Sequence, residues 1–314
     1  MREIPVYVIT GFLESGKTSF LRDVLESEDF ADGQKGLLIL CEEGIEEYDE
    51  ADLASKNIDV ISVEQPEEFH KEFLEQCAKH YRPRRIFVEM NGVWDPKWLL
   101  EEELPRPLEI AQVITIVDGS TFPVYLNNMR SILSNLFLDT EMVIFNRCTE
   151  EMDLHSYRRT IRGLNQGAMI YFEDDQGNPV DPGMDQPPYD LEADVIQIED
   201  MDYGLWYLDV SENPKRYEGK KVRFRAKVMK SRRFDAETFV PGRNAMTCCE
   251  NDIRFVGYVC RGKFAGDLRA RQWIWLTARI QYEYAREYGD KGPVLHALSY
   301  ELTGAPETDT VYFN

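Results

Sequence analysis

The chain has 314 residues, 43% of them hydrophobic, enough to fill two packed cores, and a formal net charge of -21 that works against nucleic acid as a partner. No apolar run of about 18 residues is present, and residues 4–9 enter a strand directly in place of a charged leader, so the expectation is a soluble, cytoplasmic protein without a membrane span. Six cysteines at irregular spacing predict reduced thiols, with burial or metal binding ahead of disulfides.

The first element is a short apolar strand carrying Ile4, Val6, Val8 and Ile9, and Phe20, Leu21, Val24 and Leu25 then recur at helical spacing. Between them stands Gly11-Phe12-Leu13-Glu14-Ser15-Gly16-Lys17-Thr18, a complete G-x-x-x-x-G-K-[ST] pattern in its strand, loop and helix context. The two glycines let successive backbone N–H groups turn toward a phosphate, and the helix N-terminus adds its positive end. Lys17 is expected to reach the β and γ phosphates and Thr18 to hold Mg²⁺; Gly11, Glu14, Ser15, Gly16, Lys17, Thr18 and Ser19 are the nucleotide-binding positions expected here.

Residues 36–41 read as a buried parallel strand, followed at once by the acidic run 42–49. Carboxylates at the carboxyl end of a strand beside a phosphate loop can meet Mg²⁺ or a water; in so acidic a chain they can equally be a solvated loop. A strand at 58–63 and a helix at 66–81 come next, the helix with Phe69, Phe73, Cys77 and Tyr81 on one stripe and His70 and His80 flanking it in solvent. The strand at residues 85–89 ends in Glu89, the expected second-strand partner of the phosphate loop, near Mg²⁺. Strands at 111–117, 141–145 and 168–172 complete an alternation of strands and helices over about 170 residues, which predicts an α/β domain with a mainly parallel sheet.

These residues resemble the CobW/HypB/UreG family of P-loop GTPases, whose members deliver or insert metals. The resemblance is carried by residues 10–18, Glu42-x-Gly44, Glu89-Met90-Asn91-Gly92 with Pro96, and residues 113–118. It implies GTP and Mg²⁺ as cofactors, Lys17 on phosphate, Thr18, Glu42 and Glu89 near Mg²⁺, Lys17, Glu42 and Glu89 in the catalytic set, and Glu89 with Gly92 as the γ-phosphate sensor. Two departures stand out. The family's C-x-C-C metal motif is replaced by Val63-Glu64-Gln65-Pro66-Glu67-Glu68, and its base-reading Asn-Lys-x-Asp by Asn146-Arg147-Cys148-Thr149, with Glu150 next. Asn146 and Arg147 remain nucleotide-binding candidates, and guanine and adenine both stay open.

Residues 173–193 collect Asp, Gly and Pro and are expected to link a first domain, 1–172, to a second, 194–314. There the pattern changes to alternation, with Val222, Phe224, Ala226 and Val228 inward and Arg223, Arg225 and Lys227 outward, and strands are expected at 195–198, 254–260, 273–282 and 294–302. That spacing suggests a small five-stranded OB-like barrel. Asn213-Pro214-x-x-Tyr217-x-Gly219-Lys220-Lys221-Val222 and Met246-Thr247-Cys248-Cys249-x-x-Asp252, with Gly257, resemble the C-terminal domain of an uncharacterised bacterial family that accompanies predicted permeases; the resemblance implies an OB-like fold and no chemistry.

Cys248 and Cys249 would face opposite sides of a regular strand and could share an ion only where the chain turns, for which Pro241-Gly242 upstream argues. Cys260 or Asp252 would complete a zinc site; buried thiols and redox chemistry are the other readings. Ten Lys or Arg and one acid, Glu218, lie between Lys215 and Arg233, a nucleic-acid track, the outer face of a hairpin or a dock for the acidic first domain. Two functions follow. The first is a Mg²⁺ and GTP switch with slow hydrolysis, acting in metal delivery, with zinc the candidate cargo and a metal-receiving protein or permease component as partner. The second is a nucleotide-gated nucleic-acid-binding or scaffold protein.

Overall fold

The structure, a computed structural model, describes residues 3–27, 30, 32–42, 44, 48–94, 99–100, 104–183, 186–246 and 253–313. It divides into two compact units, residues 1–154 with 164–183 and residues 155–163 with 184–314.

The first unit is built on seven parallel strands in the order β3-β2-β4-β1-β5-β6-β7. They are β1 (Ile4–Thr10), β2 (Gly36–Leu40), β3 (Ile58–Ser62), β4 (Arg85–Glu89), β5 (Leu108–Asp118), β6 (Met142–Asn146) and β7 (Met169–Phe172). Continuous apolar runs such as those of β2 and β4 arise because both faces of such a sheet are buried. Val6, Val8, Leu37, Ile39, Ile86 and Val88 enter one core with Leu74 and Cys77, while Ile9, Leu38, Phe87, Ile114 and Ile116 enter another with Leu21 and Leu25. The unit's helices are α1 (Lys17–Glu26), α2 (Glu50–Ser55), α3 (Lys71–Tyr81), α4 (Phe122–Asn128) and α5 (Arg130–Leu138), while all but the end residues of α6 (Leu154–Leu164) belong to the second unit.

The single helix expected at 66–81 is two pieces, a 3₁₀ turn at Pro66–Glu68 and then α3. Between them His70 is extended, and its Nδ1 accepts from Phe73 N at 3.2 Å as the cap of α3, a local bond that the apolar stripe alone does not reveal. Phe69 and Cys77 of that stripe are buried, as core residues should be.

In the second unit five strands follow one another in a ring: β9 (Lys221–Met229), β10 (Thr238–Ala245), β12 (Cys260–Arg261), β14 (Asp290–Leu302), β13 (Trp273–Ala285) and back to β9. The sheet is mixed, since β12 and β14 run parallel while the other pairs in the ring are antiparallel. Further pieces are β8 (Ile196–Gln197), α7 (Tyr203–Glu212), α8 (Pro214–Tyr217), β11 (Arg254–Gly257) and β15 (Thr310–Val311). β9 alternates as expected, with Val222, Phe224, Ala226 and Val228 inside.

Two expectations need correction here. The strand expected at 254–260 is two, β11 and β12, separated at Tyr258-Val259. Pro241-Gly242 do not break the chain; they lie inside β10, where a Cβ on Gly242 would come within 2.3 Å of Val256 O, so only glycine allows the close pairing with β11. Helix α7 shows no stripe in the sequence because Tyr203, Trp206, Leu208 and Val210 are buried on several sides.

Candidate functional site

The parallel sheet assembles the site. Each of β1, β4, β5 and β6 ends on the same edge, so the loop after β1, Glu89 on β4, Asp118 on β5 and Asn146 on β6 meet there although they are up to 131 positions apart in sequence. Glu89 pairs with Ile9 across the β1/β4 ladder, which fixes it two residues from the start of the loop.

The loop is shaped by its glycines. Gly11 has φ 141° and a Cβ there would meet Ile116 O at 2.2 Å; Gly16 has φ 97° and a Cβ would meet Asn146 Nδ2 at 2.5 Å. Gly16 precedes α1, no side chain caps that helix and no acid lies in its first turn, which leaves the positive end of the helix at the loop. Gly92 abuts the loop from the other side, where an added Cβ would come within 2.2 Å of Gly11 O. The segment after Glu89 thus packs closely against the loop.

Lys17 is 3% exposed, and its Nζ donates to Gly11 O and Phe12 O, both at 2.9 Å, and pairs with Glu42 Oε2 at 2.5 Å. The Thr18 hydroxyl donates to Glu89 Oε1 at 2.8 Å, and Tyr48 OH donates to Glu89 Oε2 at 2.5 Å. Burial pushes the Glu89 carboxyl above the usual glutamate range, against the opposing pull of the Tyr48 and Thr18 hydroxyls and of Lys17. Cys41, buried beside these carboxylates, has its thiol pushed up to about 12 by burial and then by Glu89 and Glu42. On the other flank Asn146 Nδ2 donates to Ser15 O at 2.7 Å, and Arg147 Nη1 donates to Glu14 O at 3.0 Å and to Asp118 Oδ2 at 2.6 Å. Burial alone would raise Asp118, but bonds from Ser120 and Arg147 outweigh it and hold the carboxyl below the usual aspartate range.

A cavity of about 210 Å³ opens over these groups, lined among others by Gly16, Lys17, Thr18, Ser19, Glu42 and Glu89. A larger one, about 680 Å³, continues past Glu42 and Glu89 to Tyr48, Ser62 and Glu64. The hydroxyl of Thr18 and the carboxylates of Glu89 and Glu42 form an all-oxygen donor set, which fits Mg²⁺, a hard cation taken by oxygen ligands together with phosphate. Glu42 differs from the sequence expectation in one respect: it engages Lys17 directly, standing where the charge of a phosphate would fall. A Glu42→Gln variant is therefore expected to bind Mg²⁺-free nucleotide about tenfold more tightly, since phosphate no longer displaces a charged partner, and fluorescence titration in EDTA reads this.

Residues 5–172 match the CobW/HypB/UreG nucleotide-binding domain, more than half of the chain. The chain belongs to the CobW/HypB/UreG family. Residues 181–313 match the DUF1980 C-terminal domain, which carries no assigned function. Among solved structures the chain is similar to zinc-bound YjiA GTPase from E. coli, with 18% identity over 73% of this chain and 74% of that one and a TM-score of 0.44. It is also similar to the hydrogenase maturation factor HypB from Archaeoglobus fulgidus, with 15% identity over 56% and 84% and a TM-score of 0.41. No curated protein matches. Membership in the CobW/HypB/UreG family makes the first unit a nucleotide-binding domain.

Sequence reasoning missed Tyr48 and Asp118 in the site. Asp118 has the same signal as Glu89, an acid at the exit of a buried strand, whereas Tyr48 lies in an irregular stretch with no periodicity to mark it. Cys260 is fully buried on β12 in the apolar core of the second unit, with its thiol pushed far up by burial; Cys248, Cys249 and Asp252 lie outside the described residues. Among the described residues no group of three or more His, Cys, Asp or Glu is placed to hold a metal, and no helix is long and apolar enough to cross a membrane. His296, on β14, pairs with Glu283 at 3.0 Å.

Proposed function

We propose that the first unit binds Mg²⁺-GTP and hydrolyses it slowly, and that this cycle switches a step of metal delivery, with zinc as cargo. The observation that carries the reading is the convergence of Lys17, Thr18, Glu42 and Glu89 at one cavity on the glycine loop. Lys17 neutralises phosphate, Thr18 and Glu89 hold the cation, and Glu89 with Gly92 senses the terminal phosphate through contact with Gly11. When bound, Mg²⁺ neutralises charge developing on the phosphate oxygens. Because Lys17 leaves Glu42 when phosphate arrives, the Lys17–Glu42 pair is the contact that changes state with nucleotide. Calorimetry with Mg²⁺-GTP, followed by phosphate release over hours, tests the reading; no binding of any nucleotide refutes it.

The strand ring of the second unit, with β12 parallel to β14, supports reading it as an OB-like barrel. Its basic strip does not favour nucleic acid as ligand. Arg216, Lys220, Arg223, Arg225 and Lys227 are paired with Asp209, Glu192, Glu301, Asp200 and Asp309, and Arg223 and Arg225 lie over Trp275 at 4.8 Å. Retention of a single-stranded oligonucleotide at about 0.15 M salt is therefore expected to be negligible, and tight, salt-sensitive retention would promote the nucleic-acid reading. For the cargo, the expected result is about one zinc per chain after metal-replete purification, lost in a Cys248→Ser, Cys249→Ser double variant that still binds nucleotide. A wild-type protein without metal would sink the metal-delivery part. The receiving protein or permease component is the partner this reading calls for.

A further inference from the structure

We propose that Glu173 is the carboxylate that reads the guanine base. This rests on the nucleotide-binding reading above and names its specificity residue. The base-reading loop Asn146-Arg147-Cys148-Thr149 lacks the expected acid, and both Thr149 and the neighbouring Glu150 are exposed. Arg147 carries only donors, one of them bonded to Glu14 O and Asp118, so it supplies no acceptor.

Glu173 immediately follows β7 and is clamped to this loop on both sides. Its N–H donates to Phe145 O at 2.8 Å, and Cys148 N donates to its carbonyl at 2.8 Å. Its side chain is half-buried, and among the described residues no donor reaches the carboxylate. Burial first, and then the charges of Asp23 and Asp174, push its carboxyl up. Asp174 is already committed to its own turn, accepting from Gln176 N and Asn178 N at 2.8 Å and from Asn178 Nδ2 at 2.9 Å. Asp23 stands on α1 four residues beyond Ser19, on the same helix face, and Ser19 lines the phosphate cavity. Glu173, close enough to feel the charge of Asp23, thus lies along α1 from the phosphate cavity.

A half-buried carboxylate among acids is unfavourable until donors arrive. Guanine presents two adjacent donors, N1–H and the N2 amino group, that match one carboxylate. Adenine presents an N1 acceptor in that place and is repelled. Xanthine carries an oxygen at C2, so an amide, with one acceptor and one donor, fits it better than a carboxylate does.

Competition of GTP, ATP and XTP against a fluorescent nucleotide tests the proposal in the full chain. Wild type is expected to prefer GTP to ATP by about a hundredfold or more, because a site built for paired N–H groups rejects an analogue lacking them. Glu173→Gln is expected to lose about a hundredfold in GTP affinity and to gain XTP, with ATP binding unchanged as the sign that the fold is intact, while Glu150→Gln behaves as wild type. A Glu173→Gln protein that keeps its GTP to ATP ratio overturns the assignment, as does loss of discrimination in Glu150→Gln. Equal binding of GTP and ATP by wild type removes the guanine reader and leaves the nucleotide reading standing, whereas binding of no nucleotide removes that reading itself.

Discussion

Replacing Lys17 by Ala is expected to abolish triphosphate binding, with a loss of about a hundredfold or more in calorimetric affinity. The ammonium is 3% exposed and held by two loop carbonyls at 2.9 Å, so it acts from a preorganised position in a water-poor site where its charge counts most. Truncation does more than remove a cation: Glu42, 11% exposed, is left facing the arriving phosphate with no countercharge, which adds repulsion to the lost attraction. In a Lys17→Ala background Glu42→Gln is expected to recover clearly more than the tenfold it gains with Lys17 present, because Glu42 there has no countercharge, and an equal gain in both backgrounds would contradict the Lys17–Glu42 contact as the gate.

The second large effect is expected at Glu89. Glu89→Gln should lower the hydrolysis rate by about a hundredfold or more, because the amide holds Mg²⁺ poorly, while Thr18 and Tyr48 retain hydrogen-bonding partners. The same change is expected to raise the melting temperature of the nucleotide-free protein at neutral pH. The sign follows from the raised carboxyl of Glu89: such a group contributes stability that is present below its unfolded pKa and lost as pH rises through its folded pKa. At neutral pH the wild type therefore carries the cost of a buried charge that the amide lacks. The gap between variant and wild type should close as pH falls into the glutamate range; a gap that widened there would show that Glu89 is not penalised by burial.

Gly11, Gly16, Lys17 and Thr18 are legible from spacing alone, because a phosphate loop is local: its glycines, lysine and helix start are consecutive and their conformations follow from residue type. Glu89 and Asn146 are legible as strand exits, since a fully buried parallel strand is an apolar run and whatever ends it sits at the ligand edge. The alternation of β9 likewise shows in the residues themselves, inward Val222 to Val228 against outward Arg and Lys.

The tertiary structure decided the rest. That Glu42 lies on Lys17, that Tyr48 caps Glu89, and that Arg147 bonds Glu14 O and Asp118 all depend on strand order β2-β4-β1-β5-β6, which no local pattern encodes. The same holds for β10, whose Pro241 and Gly242 argue against a strand until Val256 O is seen to need the space. The sequence by itself determined which segments are strands buried on both faces and where the phosphate loop sits, because both follow from hydrophobic period and backbone freedom. Only the folded sheet determined which carboxylate meets which cation, because side chains from separate strand ends become neighbours through pairing register, a property of the whole sheet.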